Sequence, residues 1–171
     1  MSPADAEMAE RAETGGRIRA YTQWPLGIVI ASMWTGWDLA AKAWLEVRLR
    51  DAPDHRLPLT PGLDLRLVYD QSPWPTAALL GSALAAILLL ALLFRIRRTA
   101  PAVAVALGFA GFLGDLLDQL PDRQLTHFIA FRPFGLNVPC FNFSEVGIGA
   151  LALYAAWTGF RRLRVDLSAR T

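Results

Sequence analysis

Four acidic residues lie inside or beside long apolar stretches of the chain, where charge is costly. They are Asp38, Asp115, Asp118 and Glu145. A charge at the centre of a bilayer costs at least ~2.5–3.5 kcal/mol, so such groups usually face a bundle interior or water. Two carboxyls that share one proton can activate water for hydrolysis, and carboxylates with an imidazole can bind a divalent metal. The sequence therefore indicates a polar site within an apolar scaffold.

A histidine is close enough in sequence to join these acids. His127 follows Asp118 by nine residues (127 − 118 = 9), so the chain can bring the imidazole back over the helix end that carries Asp118. A single histidine among aromatic residues commonly has a structural role, whereas a histidine beside carboxylates commonly has a functional role. Both interpretations stay open at the level of sequence.

The elements that must position these residues are four apolar runs. The chain has 171 residues, of which 54% are hydrophobic, and its mean hydropathy is +0.32. A helix needs about 20 apolar residues to cross a hydrocarbon core of ~30 Å. We therefore predict an all-α membrane protein with one four-helix domain at 21–164, a polar cytoplasmic tail at 1–20 and a second tail at 165–171. The predicted transmembrane helices lie near 24–45, 74–94, 101–120 and 141–160.

Basic residues set the predicted orientation. An interior N-terminus places ten of the seventeen Lys and Arg residues in the cytoplasm, with the Arg-rich segments 95–98 and 161–164 at helix ends. The first twenty residues hold four acids, which does not suit a cleavable secretory signal. Both termini are therefore predicted to be cytoplasmic, with the loops near 46–73 and 121–140 outside. This charge distribution does not suggest nucleic-acid binding.

Helix geometry predicts how deep the acids lie. At a rise of about 1.5 Å per residue, Asp38 and Asp115 each lie about 21 Å along their helices from the inner side, and Asp118 lies about 26 Å along. Glu145 lies about one turn below the outer surface. The four carboxylates are thus predicted to converge in the outer third of the bilayer. Asp38 and Lys42 are also i, i+4 neighbours, so a local ion pair is an alternative explanation for that aspartate.

Two further patterns concern helix packing and the outer loops. Gly108, Gly111 and Gly114 recur every three residues, which favours the close approach of another helix. The segment 55–70 alternates apolar and polar residues after a Thr-Pro-Gly turn, which predicts a short strand or hairpin on the membrane surface.

Set in order, these motifs resemble those of lipoprotein signal peptidase (signal peptidase II), a bacterial membrane aspartyl peptidase that trims the signal peptide from lipid-modified prolipoproteins. The similarity runs from about Trp24 to Phe160, and it implies four spans, both termini inside and a small extracytoplasmic β-like cradle after the first helix. The family's D-x-x-x-K is matched by Asp38 and Lys42. Its exterior strand resembles LRLVYDQSP, with Asp70 at an asparagine position.

The family's motif on the third helix is matched in part. Its G-N-x-x-D-R resembles GDLLDQ, so Gly114 and Asp118 match whereas Asp115 and Gln119 depart. Its two remaining motifs, V-V-D-F and F-N-x-A-D, resemble LTHF and FNFSE.

The resemblance places the catalytic pair at two substituted positions. The family's two catalytic aspartates correspond to His127 and Glu145, 18 residues apart (145 − 127 = 18), while Phe141 and Asn142 match. A shared-proton dyad needs two carboxyls, whereas a histidine and a glutamate favour an imidazolium–carboxylate pair. Glutamate is also one methylene longer, and catalytic geometry tolerates errors of about 1 Å poorly. The residues that would support this site or contact substrate or lipid are Asp38, Lys42, Asp70, Asp115, Asp118 and Asn142.

Three functions fit this sequence. The leading hypothesis is a catalytically altered or inactive paralogue in the bacterial inner membrane, without a cofactor, that holds membrane lipid, a lipoprotein precursor or another transmembrane helix in the old substrate groove. The first alternative is an active membrane peptidase with a His–Glu variant site or a metal-assisted one. No firm metal site is predicted, and the candidate ligands are Asp115, Asp118, His127 and Glu145. The second alternative is a structural subunit of a membrane complex.

Overall fold

The structure is a computed structural model that describes residues 23–50, 52, 56–70, 75–132, 134, 136 and 138–168. The predicted tail at 1–20, the start of the predicted hairpin at His55 and the start of the second predicted helix at Trp74 lie outside the described residues, as do residues 169–171.

Four helices and three strands make up the described part of the chain. The helices are α1 (Gln23–Leu49), α2 (Pro75–Leu93), α3 (Thr99–Asp122) and α4 (Phe143–Ser168). The strands are β1 (Arg56–Thr60), β2 (Leu63–Asp70) and β3 (Leu125–Phe131). The four predicted helices are therefore present. The first and the fourth extend further along the chain than predicted, and α4 continues through residues 165–168, which were predicted as tail.

Helix α3 lies at the centre of the bundle and packs against each of the other three helices. Its buried positions are mostly alanine and glycine, which let neighbouring backbones approach closely. An added Cβ at Gly108 would collide with Leu151, and one at Gly111 would collide with the backbone oxygen of Ser144. The close helix approach predicted from the glycine pattern is thus confirmed, and the helix that approaches is α4.

Helix α3 ends in a left-handed residue that turns the chain towards the sheet. Arg123 has φ 62°, and its N–H donates to the Gln119 carbonyl at 2.9 Å. This bond satisfies one of the carbonyls that the end of the helix would otherwise leave without a partner. β3 begins two residues later, at Leu125.

The three strands form one antiparallel sheet in the order β1-β2-β3. β1 and β2 form the predicted hairpin, with Gly62 at its turn in the positive-φ region (φ 85°). β3 pairs with β2, so that Val68 lies opposite His127.

The segment around His127 was expected to be a loop, and it is a strand. Three consecutive residues of β3, Thr126 to Phe128, are buried, so both faces of the strand are covered and the alternation that signals a surface strand is absent. The expected helical fold with a small β-like cradle is therefore found, and β3 adds a third strand to that cradle. The protein is mostly helical with a small antiparallel sheet.

The outer surfaces of the helices are apolar. Residues 76–93 of α2 and the whole of α3 are long and apolar enough to cross a membrane. Large hydrophobic side chains are exposed on α1, α2 and α4, among them Met33, Ile87 and Leu153. Soluble monomers rarely expose contiguous apolar surface on this scale, so the fold is that of a membrane protein.

Candidate functional site

His127 and Glu145 are in direct contact. His127 Nδ1 lies 3.2 Å from Glu145 Oε2. The imidazole is buried, whereas the side chain of Glu145 is 40% exposed. The structure therefore brings together the two positions that the resemblance assigns to a catalytic pair, and it does so as an imidazole and a carboxylate.

Backbone pairing between β3 and the segment before α4 sets the distance between these two side chains. Phe141 forms an isolated antiparallel bridge with Ile129. Its N–H donates to the Ile129 carbonyl at 3.0 Å, and its carbonyl accepts the Ile129 N–H at 2.8 Å. This bridge lies two residues after His127 and four before Glu145, so it holds the two elements in register at the site.

Glu145 also caps the N-terminus of α4. Asn142 precedes the first helical residue, and its Oδ1 accepts the Glu145 N–H at 2.9 Å. In return, Glu145 Oε2 accepts the Asn142 N–H at 3.2 Å. This reciprocal arrangement is a capping box, which satisfies two N–H groups that would otherwise lack partners. The carboxylate of Glu145 thus has a structural role as well as its contact with His127.

A second charged cluster, which we call the Lys42 cluster, consists of Lys42, Asp38 and Asp118. Lys42 Nζ lies 2.8 Å from Asp38 Oδ2 and 2.9 Å from Asp118 Oδ2. The i, i+4 ion pair that the sequence left open as an alternative explanation for Asp38 is present, and Asp118 adds a second partner from α3. Asp38 and Lys42 are buried. Because a single buried charge would be strongly destabilising, these three charges stabilise one another as a unit.

Asp38 connects the Lys42 cluster to the first turn of α4. Its Oδ1 accepts the N–H groups of Phe143 and Ser144 at 3.0 and 3.3 Å. Its Oδ2 accepts the Ser144 hydroxyl at 3.0 Å. A carboxylate is favoured here because the free N–H groups of a helix start carry partial positive charge. Since Glu145 is the next residue, Asp38 helps to fix its position.

Asp118 connects the same cluster to β3. Its Oδ2 accepts the Thr126 N–H at 2.7 Å, and its Oδ1 accepts the Thr126 hydroxyl at 3.3 Å. The carbonyl of Thr126 in turn accepts Asn142 Nδ2 at 3.2 Å. Because Thr126 directly precedes His127, the Lys42 cluster holds both partners of the His127–Glu145 pair in place.

The two other acids predicted for the site differ in their surroundings. Asp115 is buried on α3, and its Oδ1 has no hydrogen-bond partner among the described residues. Asp70 is exposed at the end of β2, where it pairs with Leu125. A buried carboxylate oxygen without a donor is costly. Asp115 is thus the predicted site residue whose charge the surrounding protein stabilises least.

The charges around His127 favour its protonated form. The hydrogen bond to Glu145 raises the pKa of His127 above its ordinary value, and partial burial acts in the opposite direction. The negative charges of Glu145, Asp70 and Asp115 add to the rise in the pKa. The pair is therefore best described as an imidazolium–carboxylate ion pair over a wider pH range than an isolated histidine would allow.

Two of the candidate metal ligands, Asp118 and Glu145, are bonded to different partners. Asp118 is bonded to Lys42, whereas Glu145 is bonded to His127. Within the described ranges, no three His, Cys, Asp or Glu side chains are grouped so that they could hold a metal ion. The arrangement therefore gives no support to the metal-assisted alternative.

An apolar groove opens between α1, the sheet and the first turn of α4. It has a volume of about 490 Å³. Its aromatic and aliphatic lining includes Trp37, Trp44, Leu59, Leu65, Phe128 and Phe143. Phe128 follows His127 directly in β3, and its ring packs edge-on against that of Phe143 at 5.3 Å between centroids. The groove therefore shares β3 and the first turn of α4 with the His127–Glu145 pair, although neither His127 nor Glu145 belongs to its lining.

One element of this site could have been found from the sequence. The run N-F-S-E at 142–145 has the spacing of a capping box, with Asn at the cap and Glu three residues later. The roles of Thr126 and Ser144 carry no comparable signal, because their partners Asp118 and Asp38 are reached through tertiary contacts.

Two solved structures share this architecture. One, of a bacterial membrane enzyme, aligns with a TM-score of 0.68 and 19% identity over 86% of this chain and 92% of its own. A second structure of a bacterial membrane enzyme aligns with a TM-score of 0.67 and 18% identity over 78% of this chain and 92% of its own. This chain has the fold of a bacterial membrane enzyme. At such identities the likeness concerns the fold and not the activity. No protein-family model and no curated protein matches the chain.

Proposed function

We propose that this chain is a signal peptidase II-like protein of the bacterial inner membrane that holds a membrane-embedded partner without cutting it. In this proposal all four helices span the membrane and both termini are cytoplasmic. The proposal is supported by the fold shared with bacterial membrane enzymes. It is further supported by the outward-facing apolar residues of α1 and α4, such as Met33, Trp37, Leu153 and Trp157.

The observation that carries this proposal is the contact between His127 and Glu145. An aspartyl peptidase needs two carboxyls that share one proton, so that one activates water while the other polarises the carbonyl. Here the 3.2 Å contact joins an imidazole to a carboxylate. The same carboxylate oxygen accepts the Asn142 N–H, so it is committed to the start of α4. The pair thus favours a stable ion pair over a water-activating dyad.

The apolar groove supports the choice of partner. Its lining is aromatic and aliphatic, and two of its residues, Phe128 and Phe143, lie one and two positions along the chain from His127 and Glu145. Such a surface suits an apolar helix or an acyl chain. The partner we propose is the membrane segment of a lipid-modified protein precursor, held in the groove and left intact.

Site-specific photo-crosslinking in cells tests this proposal. A photoreactive amino acid replaces Trp44 in the groove or, as a matched control, Leu84 on the exposed face of α2. The cells co-express a tagged lipid-modified prolipoprotein and lack their own signal peptidase II. We expect the full-length precursor to be crosslinked at position 44 and not at position 84.

Two results would contradict the proposal. Equal crosslinking at positions 44 and 84 would show that contact with the precursor reflects random encounters in the bilayer. Accumulation of the cleaved precursor in these cells, lost in His127→Ala and Glu145→Ala variants, would show that the chain is a peptidase.

One observation favours a second candidate function, that of a hydrolase. The ring nitrogen of His127 that contacts Glu145 is Nδ1. A carboxylate in this position can orient a histidine so that its other ring nitrogen, Nε2, acts as a general base towards water. Such an enzyme would lose activity as the pH falls through the pKa of His127, because an imidazolium cannot accept a proton. A shared-proton dyad would instead lose activity as the pH rises, because its one protonated carboxyl would ionise.

A further inference from the structure

A second pocket lies between the start of α3 and the last turns of α4, and we call it the arginine pocket. Its volume is about 710 Å³. Its lining consists of three arginines and four residues of mixed polarity: Arg98, Arg161, Arg162, Pro101, Tyr154, Thr158 and Val165. Among the side chains that the structure describes, none in its lining is acidic. The pocket therefore concentrates positive charge in a concave surface.

The geometry of two helices produces this concentration of charge. Tyr154, Thr158, Arg161 and Arg162 follow the spacing i, i+4, i+7 and i+8, so they lie on one face of α4. Arg98 faces them from the N-cap position of α3. It is extended (φ −105°, ψ 141°), and its side chain makes no capping hydrogen bond. The first N–H groups of α3 thus add partial positive charge at the same place.

The arginine pocket lies at the opposite end of the bundle from the His127–Glu145 pair. Arg98 and Asp118 are 20 residues apart along α3 (118 − 98 = 20), which corresponds to about 30 Å of helix. This length is close to the ~30 Å thickness of a hydrocarbon core. If the Lys42 cluster lies near the outer surface, the arginine pocket lies at the level of the inner lipid headgroups.

The three arginines have no ion-pair partner among the residues that the structure describes. Three guanidinium groups around one pocket repel each other, so an anion between them would be stabilised. Guanidinium groups bind phosphate oxygens through paired N–H donors. An apolar surface continues along α4 from the pocket, with Leu153, Trp157 and Phe160 exposed. A phosphate that carries acyl chains matches both the arginine pocket and the apolar face of α4, whereas a free phosphate matches the pocket alone.

We propose that the arginine pocket binds the phosphate group of an anionic phospholipid of the inner leaflet, whose acyl chains lie along the exposed apolar face of α4. Basic pockets between membrane helices on the cytoplasmic side are suited to anionic headgroups. The site rests on the proposed membrane orientation and is independent of whether the His127–Glu145 pair cuts a substrate.

Native mass spectrometry of the full chain in detergent tests this site. The probes are dioleoyl-phosphatidylglycerol, dioleoyl-phosphatidylcholine and inorganic phosphate. The test variant is Arg98→Gln with Arg162→Gln. The matched control is Arg95→Gln with Arg97→Gln, which removes the same charge from exposed arginines at the same end of the bundle that do not line the pocket. All four arginines are exposed, so both variants are expected to fold, with thermal unfolding as the check.

We expect phosphatidylglycerol to bind the unaltered protein more tightly than phosphatidylcholine. The pocket variant should lose about thirtyfold in affinity for phosphatidylglycerol, because it loses two direct guanidinium–phosphate contacts at about fivefold each. The control variant should change it by less than about threefold. Equal losses in the two variants, or equal binding of the two lipids, would overturn the proposal. Displacement of phosphatidylglycerol by an equal concentration of inorganic phosphate would overturn the assignment of a lipid.

Discussion

His127 Nδ1 and Glu145 Oε2 lie 3.2 Å apart, at the point where β3 meets the first turn of α4. The contact joins two residues that the family resemblance identifies as substituted catalytic positions. Around it, the Lys42 cluster and the capping box hold both backbones in place. The contacts around these two positions thus hold an imidazole and a carboxylate together as an ion pair.

The ion pair predicts a measurable shift in the titration of His127. Its pKa should lie above the ordinary value of about 6.5, because the hydrogen bond to Glu145 favours the imidazolium. Glu145→Gln should lower that pKa, since glutamine keeps the cap geometry and removes the charge. The measurement is an NMR titration of the imidazole in detergent micelles, in a His55→Gln background. An unchanged pKa of His127 in the Glu145→Gln variant would contradict the ion pair between the two residues.

The same pair predicts how stability depends on pH. A histidine whose pKa is raised on folding contributes stability that is fully present below the pKa of the unfolded chain, about 6.5, and is lost as the pH rises through the folded pKa. The unaltered protein should therefore lose stability relative to Glu145→Gln as the pH rises from about 6 to 9. Thermal unfolding in detergent across this range is the measurement, and parallel pH curves for the two proteins would count against the ion pair.

The Lys42 cluster predicts a large loss of stability when its cation is removed. Lys42→Met leaves Asp38 and Asp118 close together without a counterion, which should cost about 3–5 kcal/mol. Adding Asp38→Asn and Asp118→Asn to this variant should restore part of the loss, because the uncompensated charges disappear. Arg123→Met is the control: its bond to Thr76 is exposed, so its effect should stay within about 0.5 kcal/mol. Equal effects of Lys42→Met and Arg123→Met in denaturant titrations would contradict the proposed role.

Removing the charge of Asp115 should raise the stability of the protein, whereas removing the charge of Lys42 should lower it. Its Oδ1 is buried without a hydrogen-bond partner among the described residues. Asp115→Asn keeps the shape of the side chain and removes the charge, so at pH 8 it should stabilise the protein by about 1–3 kcal/mol. Asp70→Asn, at an exposed position, should change stability by less than about 0.5 kcal/mol. A thermal unfolding temperature that falls in Asp115→Asn would contradict this account of the site.

The contact between α3 and α4 predicts that two glycines differ in their tolerance of alanine. At Gly111 a Cβ would collide with the backbone oxygen of Ser144 and with Ile148, whereas at Gly149 it would meet nothing within 4 Å. Gly111→Ala should therefore destabilise the protein by about 1–3 kcal/mol, and Gly149→Ala should be neutral or stabilising. Thermal unfolding of both variants is the measurement. Similar values for the two would argue against the close helix approach.

The sequence predicted those parts of the fold that depend on local pattern. The four helices, the hairpin of β1 and β2 and the close approach at Gly111 follow from spacing along the chain, and the structure confirms each. The pairing of Asp38 with Lys42, an alternative at the level of sequence, is also present. The strand β3 was missed because consecutive buried residues remove its alternation.

The parts of the site that were not predicted depend on tertiary contacts. Asp118 meets Thr126 because α3 ends in the left-handed Arg123, and nothing in the local pattern specifies that turn. Asp38 reaches Ser144 across 106 positions of sequence. The cap formed by Asn142 and Glu145 has a local spacing, whereas the contact of Glu145 with His127 depends on the bridge between Ile129 and Phe141.

The most direct test of the central claim is a cleavage assay with the purified full chain and a lipid-modified prolipoprotein in detergent. We expect no more product from the unaltered protein than from His127→Ala with Glu145→Ala. We expect His127→Asp with Glu145→Asp to gain cleavage, because two carboxyls could then share a proton. Cleavage by the unaltered protein that the double alanine variant loses would contradict the claim that this chain binds its partner without cutting it.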